Sequence, residues 1–314
     1  MLKRVAGVAL KLTVTLAIFA VVARDMDFSG LLRTIGDASP VFVGACFLVL
    51  LALSPVQAFR WHVILSALGT RMSYQRSWSI VLMGIFFSQL LPTSIGGDAI
   101  RVWKLHRSGT PLAKSFNSVV LDRVSAIIAV VLIITLGISV LFELLPDPVM
   151  RTMVLLAPAV AVCVLLLLAL IVRFPDLGRW FASMLGERLG RALKSGVRDA
   201  SAVLLSPRPM LTTLGLSVFM QMAISFSVWI LAVGVGAQIG VMECIVLVPF
   251  VILASMLPIS IAGWGVREGA MVFAFGFAGV DSTTALTISI LFGVVVAATG
   301  LPGGLLWLHE RRQL

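Results

Sequence analysis

The chain has 314 residues, 60% of them hydrophobic and 12% charged, with a mean hydropathy of +1.09 and a formal net charge of +10. Soluble domains average about 25% charged residues, so this composition excludes a soluble globular protein and indicates an integral membrane protein. The positive charge sits in loops between apolar runs, which argues against nucleic acid as its partner.

Lys3 and Arg4 precede a long apolar run. No small-residue cleavage site appears before Arg24-Asp25, so residues 5–23 read as a first span rather than a signal peptide. Residues 24–40 form a polar loop of mixed charge. Residues 41–65 form a second span, interrupted at Pro55 and closed by the interfacial group Arg60-Trp61-His62.

Residues 77–91 then form an apolar helix of about 22 Å at 1.5 Å per residue, too short for a hydrocarbon core of roughly 30 Å. It breaks at Leu91-Pro92-Thr93-Ser94-Ile95-Gly96-Gly97-Asp98-Ala99-Ile100-Arg101. A second helix is expected from near Ser94 to Arg107, making 77–107 a re-entrant hairpin. Residues 118–141 and 152–172 read as full spans, separated by a short acidic loop.

Residues 174–206 carry an apolar stripe that includes Trp180, Phe181 and Leu185, opposite Arg188, Arg191, Lys194 and Arg198. This is the pattern of an interfacial amphipathic helix on an anionic leaflet. Residues 210–233 form another span, 241–257 another short helix, and 283–306 the last span. The Trp residues at 61, 78, 103, 180 and 307 fit an aromatic belt on one side.

The second short helix ends in Leu257-Pro258-Ile259-Ser260-Ile261-Ala262-Gly263-Trp264-Gly265-Val266-Arg267-Glu268. Aligned with the first break at one fixed offset, Leu, Pro, Ser, Ile, Gly and Arg are identical. The chain therefore reads as a single membrane domain with an internal repeat. Repeat one covers about 41–142 with hairpin 77–107, and repeat two about 208–307 with hairpin 241–277.

With both hairpins re-entrant and a cytoplasmic N-terminus, the inside segments hold eighteen Lys and Arg residues and the outside segments four. That split follows the positive-inside rule and places the C-terminus inside as well. Three spans separate the hairpins, so they enter from opposite sides with tips meeting near the midplane. The expected fold is all-α and polytopic, with about six full transmembrane helices and two inverted re-entrant hairpins, the arrangement of secondary transporters.

Charges inside a membrane segment are costly and commonly face an interior site. Asp98, Arg101, Asp122, Arg123, Arg267 and Glu268 are such charges. Ser94, Gly96 and Gly97 in the first break, and Ser260, Gly263 and Trp264 in the second, lie beside free helix N-termini. A helix N-terminus with adjacent Gly is an anion seat, and an Arg nearby adds a bidentate phosphate partner. These twelve residues form the candidate substrate site, with Arg101 and Arg267 converging on one phosphate.

The alternative is that Asp98–Arg101 and Arg267–Glu268 only neutralise each other and hold the hairpins together. Asp122 and Arg123 fit a site or an interface equally well. Arg60 reads as an interfacial anchor, and Trp264 as either a lid or packing. Cys46, Cys163 and Cys244 lie in apolar runs and read as buried packing residues. The three His are scattered, no nucleotide-binding or nucleophile motif occurs, and no metal, cofactor or enzymatic activity is expected.

The breaks at 91–101 and 261–269, with Leu-Asp-Arg at 121–123, resemble the lysylphosphatidylglycerol synthase transmembrane region. This family is also called flippase-like or YbhN-like. The resemblance implies that Asp98, Arg101, Arg267 and Glu268 fall in signature loops of the family. It also implies a bacterial inner-membrane protein that moves a phospholipid between leaflets. No aminoacyl-transferase domain follows the last span, so lysylphosphatidylglycerol synthesis is not expected of this chain. The expected partner is a membrane phospholipid or other phosphate-bearing lipid. The alternatives are a small-solute or proton-coupled transporter, or a non-transporting subunit that docks a lipid-modifying enzyme.

Overall fold

The computed structural model describes residues 28–91, 96–145, 186–256 and 262–311, together with scattered positions between 147 and 174. The expected spans 5–23 and 152–172 lie wholly or largely outside the described residues, as do Ser94, Ser260 and the Trp180 region. Every regular element among the described residues is helical. They are α1 (Phe28–Asp37), α2 (Pro40–Ala67), α3 (Tyr74–Leu90), α4 (Gly96–Arg107), α5 (Leu112–Leu136), α6 (Ile138–Leu144), α7 (Gly186–Leu204), α8 (Pro207–Gly234), α9 (Val241–Met256), α10 (Val266–Gly276) and α11 (Ser282–Arg311).

Among the described residues, α2, α5, α8 and α11 are long and apolar enough to cross a membrane. At 28 residues, α2 is about 42 Å long, more than the hydrocarbon core requires. Large apolar side chains cover the outside of these helices, among them Val41, Leu136, Leu211 and Leu305. On a water-soluble surface such a coat would aggregate; facing lipid it costs nothing. The chain is a multi-pass membrane protein.

Two sequence expectations change. Residues 24–40 are not all loop, because Phe28–Asp37 is helical. Pro55 does not interrupt α2, which runs through it unbroken. In an apolar surround the backbone groups have no better partner than the helix itself, so a single proline does not end it.

The order long helix, short helix pair, long helix occurs twice: α2, α3–α4, α5 and then α8, α9–α10, α11. Helices α3 and α4 pack against each other as an antiparallel pair. Gly97 of α4 faces Ser88 of α3, Arg101 faces Gly84, and Leu105 shares a buried cluster with Ile80 and Val81. The missing side chains set how close the two helices come. A Cβ on Gly97 would stand 2.1 Å from the carbonyl oxygen of Gly84.

The second pair, α9 and α10, turns through Ala262-Gly263-Trp264-Gly265, where φ is +51°, +82° and +86° at Ala262, Gly263 and Gly265. Glycine supplies the left-handed backbone twice, and the absent Cβ of Gly263 lets the turn lie against Ser255.

The largest core gathers Cys46 of α2, Ile134 of α5, Leu231 of α8, Val248 of α9, Phe275 of α10 and Phe292 of α11. Helix α11 runs past both short pairs. Gly303 meets the backbone of Leu82 in α3, and Gly293 lies against the guanidinium of Arg267 in α10. Cys46 and Cys244 are buried as expected, whereas Cys163 is exposed. An apolar run in a membrane protein presents much of itself to lipid, so hydropathy alone does not imply burial.

Candidate functional site

The charges that the sequence scatters over three segments come together as one ladder. Arg60 of α2 donates through Nε to Oδ1 of Asp122 at 2.8 Å and through Nη1 to the Ser217 hydroxyl at 2.9 Å. The other oxygen of Asp122 takes Nη1 of Arg101 at 2.9 Å. The same nitrogen lies 3.4 Å from Oδ1 of Asp98. Oδ2 of Asp98 then accepts from Nε of Arg123 at 2.7 Å. The order is Arg60, Asp122, Arg101, Asp98, Arg123, alternating in sign, and it compensates each buried charge with a neighbour.

Helix geometry explains how adjacent residues part company. Asp98 and Arg101 lie three apart on one face of α4. Asp122 and Arg123 are neighbours on α5 and point about 100° apart. Asp122 is buried between Arg60 and Arg101, while the Arg123 side chain is 40% exposed.

Arg60 is therefore no interfacial anchor; it is 5% exposed and paired. Trp61 leaves the expected aromatic belt for the same reason. It is fully buried, donates to Ser118 at 3.3 Å and lies under Arg101, whose Cζ is 4.6 Å from the ring centre. The Nε and Nη2 of Arg101 are buried without hydrogen-bond partners among the described residues. The face of Trp61 compensates part of that loss, since a desolvated cation–π contact is worth about 2 kcal/mol.

The second pair repeats this design locally. Arg267 stacks on Trp264, again with Cζ 4.6 Å from the ring centre. Its Nη2 donates to Oε1 of Glu268 at 2.5 Å, and its Nε to the same oxygen at 3.1 Å and to Ser289 at 3.3 Å. The other Glu268 oxygen accepts from the Gly265 N–H at 2.5 Å. The expected anion seat at the start of α10 thus holds the chain's own carboxylate. Trp264 packs under Arg267. Gly96, Gly97 and Gly263 are packing positions, where side chains would meet Leu91, the Gly84 carbonyl and Ser255 respectively.

Between the two helix pairs lies a cavity of about 300 Å³. The C-terminal ends of α3 and α9 both reach it, with Ser88 and Gln89 from one and Ser255 from the other. Helix α2 adds Ser54 and Gln57, α11 adds Thr299, and the remaining described wall is mostly aliphatic. Its charged lining consists of Arg123 and Arg267, and no carboxylate lines it among the described residues. Arg101 stands one step behind Arg123, with Asp98 between them.

Of the expected site residues, then, Arg123 and Arg267 line the cavity, and Asp98 and Glu268 hold them. Arg101 and Asp122 support from behind. Gln57, Gln89 and Ser255 do not stand out in the sequence, because uncharged polar residues in an apolar run give no signal until a cavity collects them. Arg60 did carry a signal: an Arg inside an apolar run needs a partner, and the Asp of Leu-Asp-Arg at 121–123 supplies it.

Residues 8–303 match the family model described as the lysylphosphatidylglycerol synthase TM region. The chain belongs to this family. A UPF0104 membrane protein of Methanothermobacter thermautotrophicus is 23% identical over 287 residues, spanning 84% of this chain and 82% of that protein. Another, from Pyrococcus horikoshii, is 24% identical over 286 residues, spanning 82% and 84%. A third, from Methanocaldococcus jannaschii, is 30% identical over 111 residues, or 35% of this chain and 32% of its own length. The matched residues include both helix pairs and the ladder that joins α2, α4 and α5.

Proposed function

We propose that this family member moves a lipid with an anionic phosphate head group between the leaflets of the cell membrane, without chemical conversion of the lipid. The observation that carries the reading is a cavity whose charged lining is Arg123 and Arg267, with no carboxylate among its described lining residues. Its volume lies at the lower end of the range for small-ligand sites, about 300–1,000 Å³. Arg123 is held through Nε alone, which leaves Nη1 and Nη2 without partners among the described residues. That free edge is the planar fork that takes two phosphate oxygens at once. The aliphatic wall lets acyl chains remain in lipid while the head group is held.

The two helix pairs act as re-entrant hairpins inserted from opposite sides, the first from the cytoplasmic face. The eighteen-to-four distribution of Lys and Arg supports this orientation, as does the repeated element order. Rocking of one repeat against the other would expose the cavity alternately to each leaflet. The test is reconstitution of the purified protein into vesicles containing a tail-labelled phosphatidylglycerol. Protein-dependent transfer between leaflets is the expected result. Accumulation of a phosphate-bearing solute without lipid transfer would replace the lipid reading with solute transport.

A further inference from the structure

The cavity's uncharged polar groups narrow the head group further. Resting on the reading above, we infer that the substituent on the transported phosphate is uncharged and hydroxyl-bearing, and that the site rejects a head group carrying an ammonium. A cationic substituent needs a carboxylate or an aromatic face. Both nearby carboxylates are already committed. Asp98 is divided between Arg101 and Arg123, and Glu268 between Arg267 and the Gly265 N–H. Of the aromatic faces near the site, those of Trp61 and Trp264 already lie under Arg101 and Arg267, which leaves Phe292 on the cavity wall, a weaker partner for a cation than Trp.

An ammonium a few ångströms from the phosphate would face Arg123 and Arg267, with no carboxylate among the described lining residues to offset them, in a partly desolvated space where like charges repel strongly. Hydroxyls, by contrast, find partners of both kinds. Gln57 and Gln89 offer amide donors and acceptors, and Ser88 and Ser255, whose own protons go to the carbonyls of Ile85 and Ile252, offer acceptor lone pairs, all on the cavity wall. A site built to hydrogen-bond hydroxyls discriminates against analogues that leave those groups unpaired. The chemistry fits a phosphate ester of glycerol or another polyol. It does not fit an ethanolamine or a lysyl ester, although the family's description names lysylphosphatidylglycerol.

The experiment compares tail-labelled lipids in vesicles carrying the full chain. Phosphatidylglycerol should cross at least tenfold faster than lysylphosphatidylglycerol, and several-fold faster than phosphatidylmethanol, which is anionic but has no hydroxyl. Phosphatidylethanolamine should also lag. Gln57→Glu and Gln89→Glu should each narrow the gap by slowing phosphatidylglycerol and quickening the cationic lipid. Equal rates for phosphatidylglycerol and lysylphosphatidylglycerol would overturn the inference, as would Glu variants that leave their ratio unchanged. Should no lipid cross, the transport reading fails instead, and selectivity is read separately on the detergent-purified protein. There, glycerol 1-phosphate should raise the melting temperature and phosphoethanolamine should not; equal shifts from the two would overturn the inference.

Discussion

Asp98 holds Arg123, a residue of the cavity wall, by its Nε, 2.7 Å from Oδ2, and leaves the other edge of the guanidinium without a partner among the described residues. Its Oδ1 faces Arg101, which makes Asp98 the joint between the buried ladder and the open site. Asp98→Asn keeps the shape and removes the charge that fixes Arg123. Charge-assisted hydrogen bonds contribute about 1.5–3 kcal/mol, so the loss should slow lipid transfer by about tenfold or more while the protein remains folded. Transfer rate and melting temperature measured on the same preparation check this. A large drop in melting temperature with unchanged transfer per folded molecule would assign Asp98 to folding alone.

Asp122 sits deeper and does different work. It is 1% exposed and takes a guanidinium on each oxygen. Asp122→Asn should therefore cost about 3–5 kcal/mol, the usual penalty for stripping one partner from a buried ion pair. Arg60→Gln should cost less, because Asp122 keeps Arg101. Thermal unfolding in detergent ranks the two, and the reverse order would contradict the ladder.

The crossing of α3 and α4 depends on Gly97. An added methyl would stand 2.1 Å from a rigid backbone oxygen, so Gly97→Ala should destabilise by the roughly 1–3 kcal/mol of an overpacked core. Gly84→Ala should cost less, since its methyl would stand 3.0 Å from the Arg101 side chain and 3.2 Å from the Gly97 carbonyl oxygen, not 2.1 Å. Gly215→Ala, with nothing within 4 Å, is the control. Melting temperatures of the three variants should fall in that order of severity.

Membrane orientation is testable by labelling in a background lacking Cys46, Cys163 and Cys244. Asp147→Cys should react with an impermeant thiol reagent from outside, and Gly109→Cys and Ser195→Cys should not. Reaction of Gly109→Cys from outside would contradict entry of the first hairpin from the cytoplasmic face.

Much of this architecture is legible in the sequence because its signals are local. The break at Pro92 and its echo at Pro258 mark both helix pairs, and apolar length marks α2, α5, α8 and α11. The ladder is not local. Arg60 and Asp122 are 62 positions apart, and Arg60 and Ser217 are 157 apart. The spacing within the repeat makes Arg101 and Arg267 equivalent. It does not reveal that Asp122 and Trp61 draw Arg101 into the protein while Arg123 takes the cavity side. Pro55 misleads for a related reason: its cost in a water-exposed helix does not carry over to an apolar surround.

The proposed phosphate site joins Arg123 and Arg267 on the wall of the cavity between the helix pairs. The direct measurement is transfer of tail-labelled phosphatidylglycerol per folded molecule for Arg123→Lys and Arg267→Lys. Lysine keeps the positive charge but lacks the planar fork. For Arg123→Lys the loss of one paired contact, about 1.5–3 kcal/mol, predicts transfer roughly ten- to a hundredfold slower. Arg267 already spends Nε and Nη2 on Glu268, so Arg267→Lys, which disturbs that pair and the remaining Nη1, should slow transfer by a smaller factor. Arg123→Lys should also keep a melting temperature near that of the unmodified protein, because its half-exposed side chain carries little of the fold. Wild-type transfer rates in both variants would contradict the shared phosphate site.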